Sequence, residues 1–184
     1  PLRLQMFLSA SMAVIIHVSS IAQTIANPSV VFFQDFDHRP VGSYSEFQLD
    51  ADFNTPPWNK GVDEGRVTIS ANDKAYYRRS LCIEYPAGGS ATSSSGGSWY
   101  VPLLGGCDEL YLSYRVRFSE GFQFVRGGKL PGLAGGTANT GGDTPDGTDG
   151  WSARYMWFSN GEEGSPLDGS AGNMSSYLYL KWGR

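Results

Sequence analysis

Lys129 stands in the stretch FVRGGKLPGLAGG, with Gly127 and Gly128 before it and Leu130-Pro131-Gly132 behind it. Glycine lets a backbone approach another group closely, and Pro-Gly is a turn-forming pair, so the lysine reads as framed, with a sharp turn just after it. Two further pairs carry proton-handling groups at i, i+2 spacing: Ser152/Arg154 in WSARYMWF and Tyr177/Tyr179 in SSYLYLKW. Residues two apart in a strand share a face. Ser152, Arg154 and Met156 therefore project one way and Trp151, Ala153, Tyr155 and Trp157 the other. Tyr177 and Tyr179 likewise oppose Leu178 and Leu180.

An ammonium, a guanidinium, two phenols and a hydroxyl suit one kind of chemistry well. Cleaving a uronic acid polymer by β-elimination requires a base for the C5 proton and an acid for the departing C4 oxygen. It also requires positive charge for the C6 carboxylate on which negative charge builds up. Lys, Arg, Tyr and Ser supply all three without metal or cofactor, and a neighbouring arginine lowers the pKa of a lysine or tyrosine base. Taken singly, each feature has a plainer reading, an Arg or Tyr pair on a solvated face or a lysine at a strand end after a bulge. Their combination favours a site.

Other chemistries find less support. His17 lies in an apolar N-terminal segment, which leaves His38, in a turn, as the histidine of the remaining chain. No Cys/His metal cluster, no G-x-S-x-G elbow and no phosphate loop is present. Glycoside hydrolysis needs two carboxylates facing across a cleft, and nothing in the pattern pairs Glu84, Asp108 and Glu109 in that way. Asp143, Asp146 and Asp149, three apart in a Gly/Asp/Thr loop, invite a Ca²⁺ reading, but their spacing is not that of an EF-hand. They read as a surface loop beside a site, and no metal is expected.

The elements that must hold these residues are strands. The chain has 24 Gly, 10 Pro and 25 Phe, Trp and Tyr residues among its 184, and after the first segment it shows no long amphipathic helical pattern. Short alternating runs separated by Gly, Pro, Asn and Ser point to an all-β sandwich or barrel in one domain. Strands are expected in SVVFFQDFD, GRVTIS, AYYRRSLCIEYP and ELYLSYRVRF, with Gly88–Ser98 as a low-complexity connector. In ELYLSYRVRF, Leu110, Leu112, Tyr114, Val116 and Phe118 form the core face. Tyr111, Ser113, Arg115 and Arg117 form the other, either a surface facing an anionic ligand or a solvated outer face. The net charge of −4, without a basic cluster, argues against nucleic acid.

LRLQMFLSASMAVIIHVSSIAQTIA has an early arginine, an apolar run and small residues near Ala22 and Ala26, the shape of a secretory signal peptide over residues 1–26. The run is short for a spanning helix, so the expectation is a secreted protein with no membrane attachment after cleavage. Pro1 in place of Met implies that the true start precedes this chain. In an oxidising compartment Cys82 and Cys107 are expected to pair, the alternative being two unpaired core residues.

GGKLPGL, followed by WSARYMW and then YLYL, resembles polysaccharide lyase family 14, and FQDFDHRPVGSY and LYLSYRVRF fit the same layout. The glucuronan lyases of family 20 share a similar lysine motif and are a close competitor. The resemblance implies a β-jelly roll over residues 27–184 that continues beyond Arg184, and a monomeric, cofactor-free lyase acting on alginate or polyglucuronate. It places the functional residues on Lys129, Ser152, Arg154, Tyr177 and Tyr179. Arg115, Arg117, Gly127 and Gly128 are expected to contact the anionic polysaccharide, the glycines by leaving room for a sugar ring. Two features depart from the family pattern: LKWGR follows Tyr179 where a histidine is usual, and a long insertion separates Arg154 from Tyr177. The rival reading is a lectin-like jelly roll that binds acidic glycan without cutting it.

Overall fold

The computed structural model describes residues 2–8, 13–18, 29–71, 78–91, 93–103, 105–124, 127–159 and 172–181, the first two segments and Ser29 by their backbone. The strands are β1 (Leu2–Leu8), β2 (Ala13–Val18), β3 (Ser29–Gln34), β4 (Gly42–Ser43), β5 (Asn59–Lys60), β6 (Val67–Ser70) and β7 (Ser80–Ile83). They continue with β8 (Gly97–Pro102), β9 (Leu110–Arg115), β10 (Gly128–Gly136), β11 (Gly150–Ser159) and β12 (Gly172–Tyr179). One helix, α1 (Glu46–Asp52), interrupts them. All pairings are antiparallel, and the class is all-β, as the sequence pattern implies.

A six-stranded sheet runs β12-β11-β10-β1-β8-β5, and two three-stranded sheets run β3-β2-β9 and β4-β6-β7. Their inner faces meet in one core. Trp99 and Val101 of β8, Val67 and Ile69 of β6, Leu81 and Ile83 of β7, and Phe32 of β3 are all buried there. Leu133 of β10 and Leu110, Leu112 and Tyr114 of β9 pack against them. Trp99 is fully buried, with its ring 5.3 Å from that of Phe53, which stacks on Phe32 at 5.7 Å. Each such side chain contributes about 1.5–3 kcal/mol through removal from water.

Within the segment read as a leader, residues 2–8 and 13–18 run as β1 and β2, and its other residues lie outside the described ones. The first joins β8 to β10, and the second joins β3 to β9. Helix α1, which no long periodic pattern announced, is set by its cap. The Ser45 hydroxyl accepts from the Gln48 N–H, and the Gln48 side chain accepts from the Ser45 N–H at 2.8 Å, which is a capping box. The helix then buries Leu49 and Asp52.

Strand β10 corrects the expected turn after Lys129. Leu130-Pro131-Gly132 lies inside a continuous strand, and the pairing shifts between Lys129↔Met156 and Gly132↔Arg154. The three steps on β10 against two on β11 make a bulge, the place within a sheet where a residue lacking an N–H is tolerated. The consequence is one of parity. An odd spacing would put Lys129 and Gly132 on opposite faces of a regular strand, but the bulge brings both to the same one. Cys82, on β7, and Cys107, ahead of β9, are free thiols, so the expected disulfide is not formed.

Candidate active site

Register across three strands assembles the site. Arg154 of β11 lies opposite Gly132 of β10 and Tyr177 of β12; Ser152 lies opposite Ala134 and Tyr179; Met156 lies opposite Lys129 and Ser175. Directly opposed residues share a face. This face is turned away from the core, because Leu133, on the core side, alternates with Gly132 and Ala134. Lys129, Ser152, Arg154, Tyr177 and Tyr179 thus project from the outer face of the six-stranded sheet.

Their contacts are close. The Lys129 ammonium lies 5.1 Å from the centre of the Tyr177 ring, and the Arg154 guanidinium lies 5.3 Å from Tyr177 and 5.6 Å from Tyr179. Both are cation–π distances. The two tyrosine hydroxyls are hydrogen-bonded to each other at 2.8 Å, and the Tyr179 hydroxyl also accepts from the Gly142 N–H at 3.0 Å. Arg154 is only 3% exposed. Burial pulls its pKa down, while the phenols of Tyr179, Tyr177 and Tyr100 push it up, and the net direction is down. For Tyr179, burial pushes the pKa up. The Tyr177 hydroxyl, the Gly142 N–H, and the charges of Lys129 and Arg154 outweigh that and leave the phenol more acidic than an ordinary tyrosine.

Ser152 shares the face but is closed over. It is fully buried, and its hydroxyl donates to the Asn139 carbonyl at 2.6 Å. Asn139 in turn donates to Asp149 at 2.6 Å. The serine ties down the loop that carries Gly142 to Tyr179.

A model of the family described as polysaccharide lyase 14 matches residues 73–165. The chain belongs to that family. No curated protein and no solved structure matches it. The lyase match takes in Lys129, Ser152 and Arg154 and ends before Tyr177 and Tyr179. Pairing of β11 with β12 is what joins the tyrosines to the matched residues.

Of the residues expected to contact the polysaccharide, Arg115 lies apart from this cluster. Arg115 is on the exposed face of β9, opposite in direction to Tyr114, whose hydroxyl reaches inward to the Pro131 carbonyl. That face is the far side of the sandwich from Lys129. Arg117 lies two residues past the end of β9 and is half-buried. What Gly127 and Gly128 leave room for is Trp157, its carbonyl oxygen and its indole respectively. A Cβ on Gly127 would sit 2.6 Å from the Trp157 carbonyl oxygen, and one on Gly128 would overlap the Trp157 ring. That ring is packed by Phe118, Phe122 and Tyr85 with centroids 5.4–5.8 Å away.

The aspartate loop is knit to itself. The Asp146 carboxylate accepts from the N–H groups of Thr148 and Asp149 and from the Thr148 hydroxyl, and these bonds, first that from Thr148 N–H, hold its pKa down at about 2. Among the described residues no group of three or more His, Cys, Asp or Glu is placed to hold a metal ion. A cleft of about 750 Å³ lies elsewhere, lined by Phe33, Asp35, His38, Asp52 and Arg78 among others.

Sequence reasoning missed Gly132 and Gly142. A Cβ on Gly132 would overlap the Ala153 carbonyl oxygen and Arg154 Cγ, so the glycine is what lets β11 and the arginine come this close to β10. Its signal was the last glycine of the GGKLPGL motif, read there as part of a turn.

Proposed function

We propose that this lyase cleaves a polyuronate, alginate or polyglucuronate, by β-elimination in the groove over β10, β11 and β12. The observation that carries the reading is the Tyr177–Tyr179 hydroxyl pair on the face that holds Lys129 and Arg154, with the Gly142 N–H donating to Tyr179. Tyr179 as phenolate takes the C5 proton. The C5–H electron pair forms the C4–C5 double bond, the C4–O bond breaks, and the Lys129 ammonium protonates the departing oxygen. The products are an unsaturated uronate end and a new hydroxyl end, with no water consumed. Arg154, buried beneath the phenol rings, acts by its field: in a poorly solvated place its charge offsets that accumulating at the C6 carboxylate without touching it. Ser152 is a positioning residue, holding the loop whose Gly142 N–H faces Tyr179.

The test is to incubate purified protein with each polymer and follow ultraviolet absorbance of the new double bond. Rising absorbance supports elimination. Retention of the polymer in affinity electrophoresis without any absorbance change would instead establish the lectin-like reading. Activity abolished by a chelator would overturn the metal-free scheme.

A further inference from the structure

The site row does not stop at β10. Gly132 is paired through the β1 backbone at Gln5 with Tyr100 of β8, so Tyr177, Arg154, Gly132 and Tyr100 lie on one line across the sheet. Tyr100 alternates with the core residues Trp99 and Val101 and therefore faces the groove side. No side chain stands at Gly132 between them, and the Tyr100 phenol acts on the Arg154 guanidinium. Beyond Tyr100, at the sheet edge, Trp58 meets it ring against ring at 4.9 Å and 78° and stays 38% exposed. Lys60, two residues on, pairs with Ser98 and so shares that face, and it is exposed.

We infer that Trp58, Tyr100 and Lys60 form a distal uronate subsite, so that the polymer lies across the strands from β12 to β5. The inference rests on the polyuronate reading above. An exposed indole edge-packed on a tyrosine offers a rigid apolar surface for the C–H face of a pyranose, and a lysine beside it answers the carboxylate. Four strand spacings separate the Tyr100 and Tyr177 positions, roughly 19 Å at the usual inter-strand distance. That length accommodates several sugar rings of one chain. Binding at such a distance makes the enzyme prefer long chains and cut within them, since binding energy far from the reacting bond holds the polymer in register.

The experiment compares wild type with Trp58→Ala and Trp58→Phe on the polymer and on defined oligouronates too short to span the groove. Trp58→Ala should raise KM on polymer roughly tenfold, leave kcat near wild type, and leave KM on the short oligomers unchanged. Trp58→Phe should restore most of the loss. Lys60→Gln should raise KM on polymer at low salt and lose that effect at high salt. A Trp58→Ala enzyme with unaltered KM on polymer, or one that loses kcat on long and short substrates alike, overturns the subsite. If wild type does not cleave, the elimination reading fails by itself. The subsite then stands or falls on whether Trp58→Ala weakens retention of the same polymers in affinity electrophoresis.

Discussion

Two regions of this molecule gather arginine, tyrosine and a further basic side chain, and they do so to opposite ends. Around Asp52, which is buried, Arg39 donates through two nitrogens at 2.6–3.1 Å, Tyr44 donates at 2.7 Å, and His38 lies at 3.0 Å. Burial alone would raise the Asp52 pKa, but those donors outweigh it and hold the carboxyl below its usual range. Tyr44 moves the other way, pushed up first by burial and then by its bond to Asp52. On the outer face of β10, β11 and β12, Arg154 and Lys129 stack on phenol rings, and Tyr179 is moved down. A tyrosine that donates to a buried carboxylate is locked as a phenol and serves the fold. One that accepts hydrogen bonds on the same face as two cations is shifted toward losing its proton.

The comparison breaks most visibly if one residue is removed from each region. Lys129→Ala should lower elimination by about 10²–10⁴-fold, the usual weight of a positioned acid or base, with the thermal midpoint unchanged. Asp52→Ala should do the reverse. It leaves the buried Tyr44 hydroxyl and the half-buried Arg39 without their partner and should cost about 1–3 kcal/mol in denaturant unfolding, while activity per folded molecule persists. A Lys129→Ala protein with full activity would end the site assignment.

The pH dependence of the two regions should separate as well. Asp52 has a depressed folded pKa, so its contribution to stability is complete above the unfolded carboxylate value of about 3.9 and is lost as pH falls through the lower folded value. Asp52→Asn should flatten that acid-side loss in thermal unfolding. Activity should instead rise with pH through the Tyr179 ionisation, on a limb lying below the ordinary tyrosine value of about 10. Arg154→Gln should move this limb to higher pH, because one of the charges that favours the phenolate is gone. An activity limb that Arg154→Gln leaves in place would dissociate the arginine from the base.

What the sequence made legible follows the same division between local and non-local causes. Alternation in LYLSYR, WSARYMWF and SSYLYL placed Ser152 with Arg154 and Tyr177 with Tyr179 on shared faces, because strand parity is a local property. It could not show that Lys129 joins them, since that depends on one extra residue in β10 relative to β11. The same stretch invited a turn, as Pro-Gly does when its neighbours are unknown. The apolar N-terminal run reads equally as a leader or as central strands, because buried strands need no alternation. Strand β8 was hidden behind the Ser/Gly connector, although Trp99 and Val101 alternate with Tyr100. Ser45 and Gln48 carried a readable cap for a helix too short to show a period.

Gly128 sharpens the comparison from the structural side. Its place against Trp157 makes it a packing residue of the aromatic cluster, although it adjoins the proposed acid. Gly128→Ala should overpack the indole and cost about 1–3 kcal/mol in unfolding. Elimination by the folded fraction should survive, with KM unchanged. A rise in KM without loss of stability would return the glycine to the substrate, as the sequence alone had suggested.

Ser152 gives the smallest effect and the finest distinction. Its hydroxyl meets the Asn139 carbonyl, not the open groove, and the bond is fully buried. Ser152→Ala removes one neutral hydrogen bond and leaves a buried carbonyl less well satisfied, for a cost of about 0.5–1.5 kcal/mol. The loop from Asn139 to Gly142 should then loosen, and the Gly142 N–H should meet Tyr179 for less of the time. That N–H helps to acidify Tyr179, so the activity limb should move slightly to higher pH while kcat on its plateau falls less than about tenfold. Ser152→Thr, if its methyl is accommodated, keeps the donor and should hold the limb where wild type has it. A serine that itself touched the reacting sugar would behave otherwise: Ser152→Ala would lower the plateau by about 10²-fold or more and leave the limb unmoved. The position of the limb, rather than the loss of rate, decides whether Ser152 belongs with Asp52 among the residues that hold the fold or with Lys129 among those that meet the substrate.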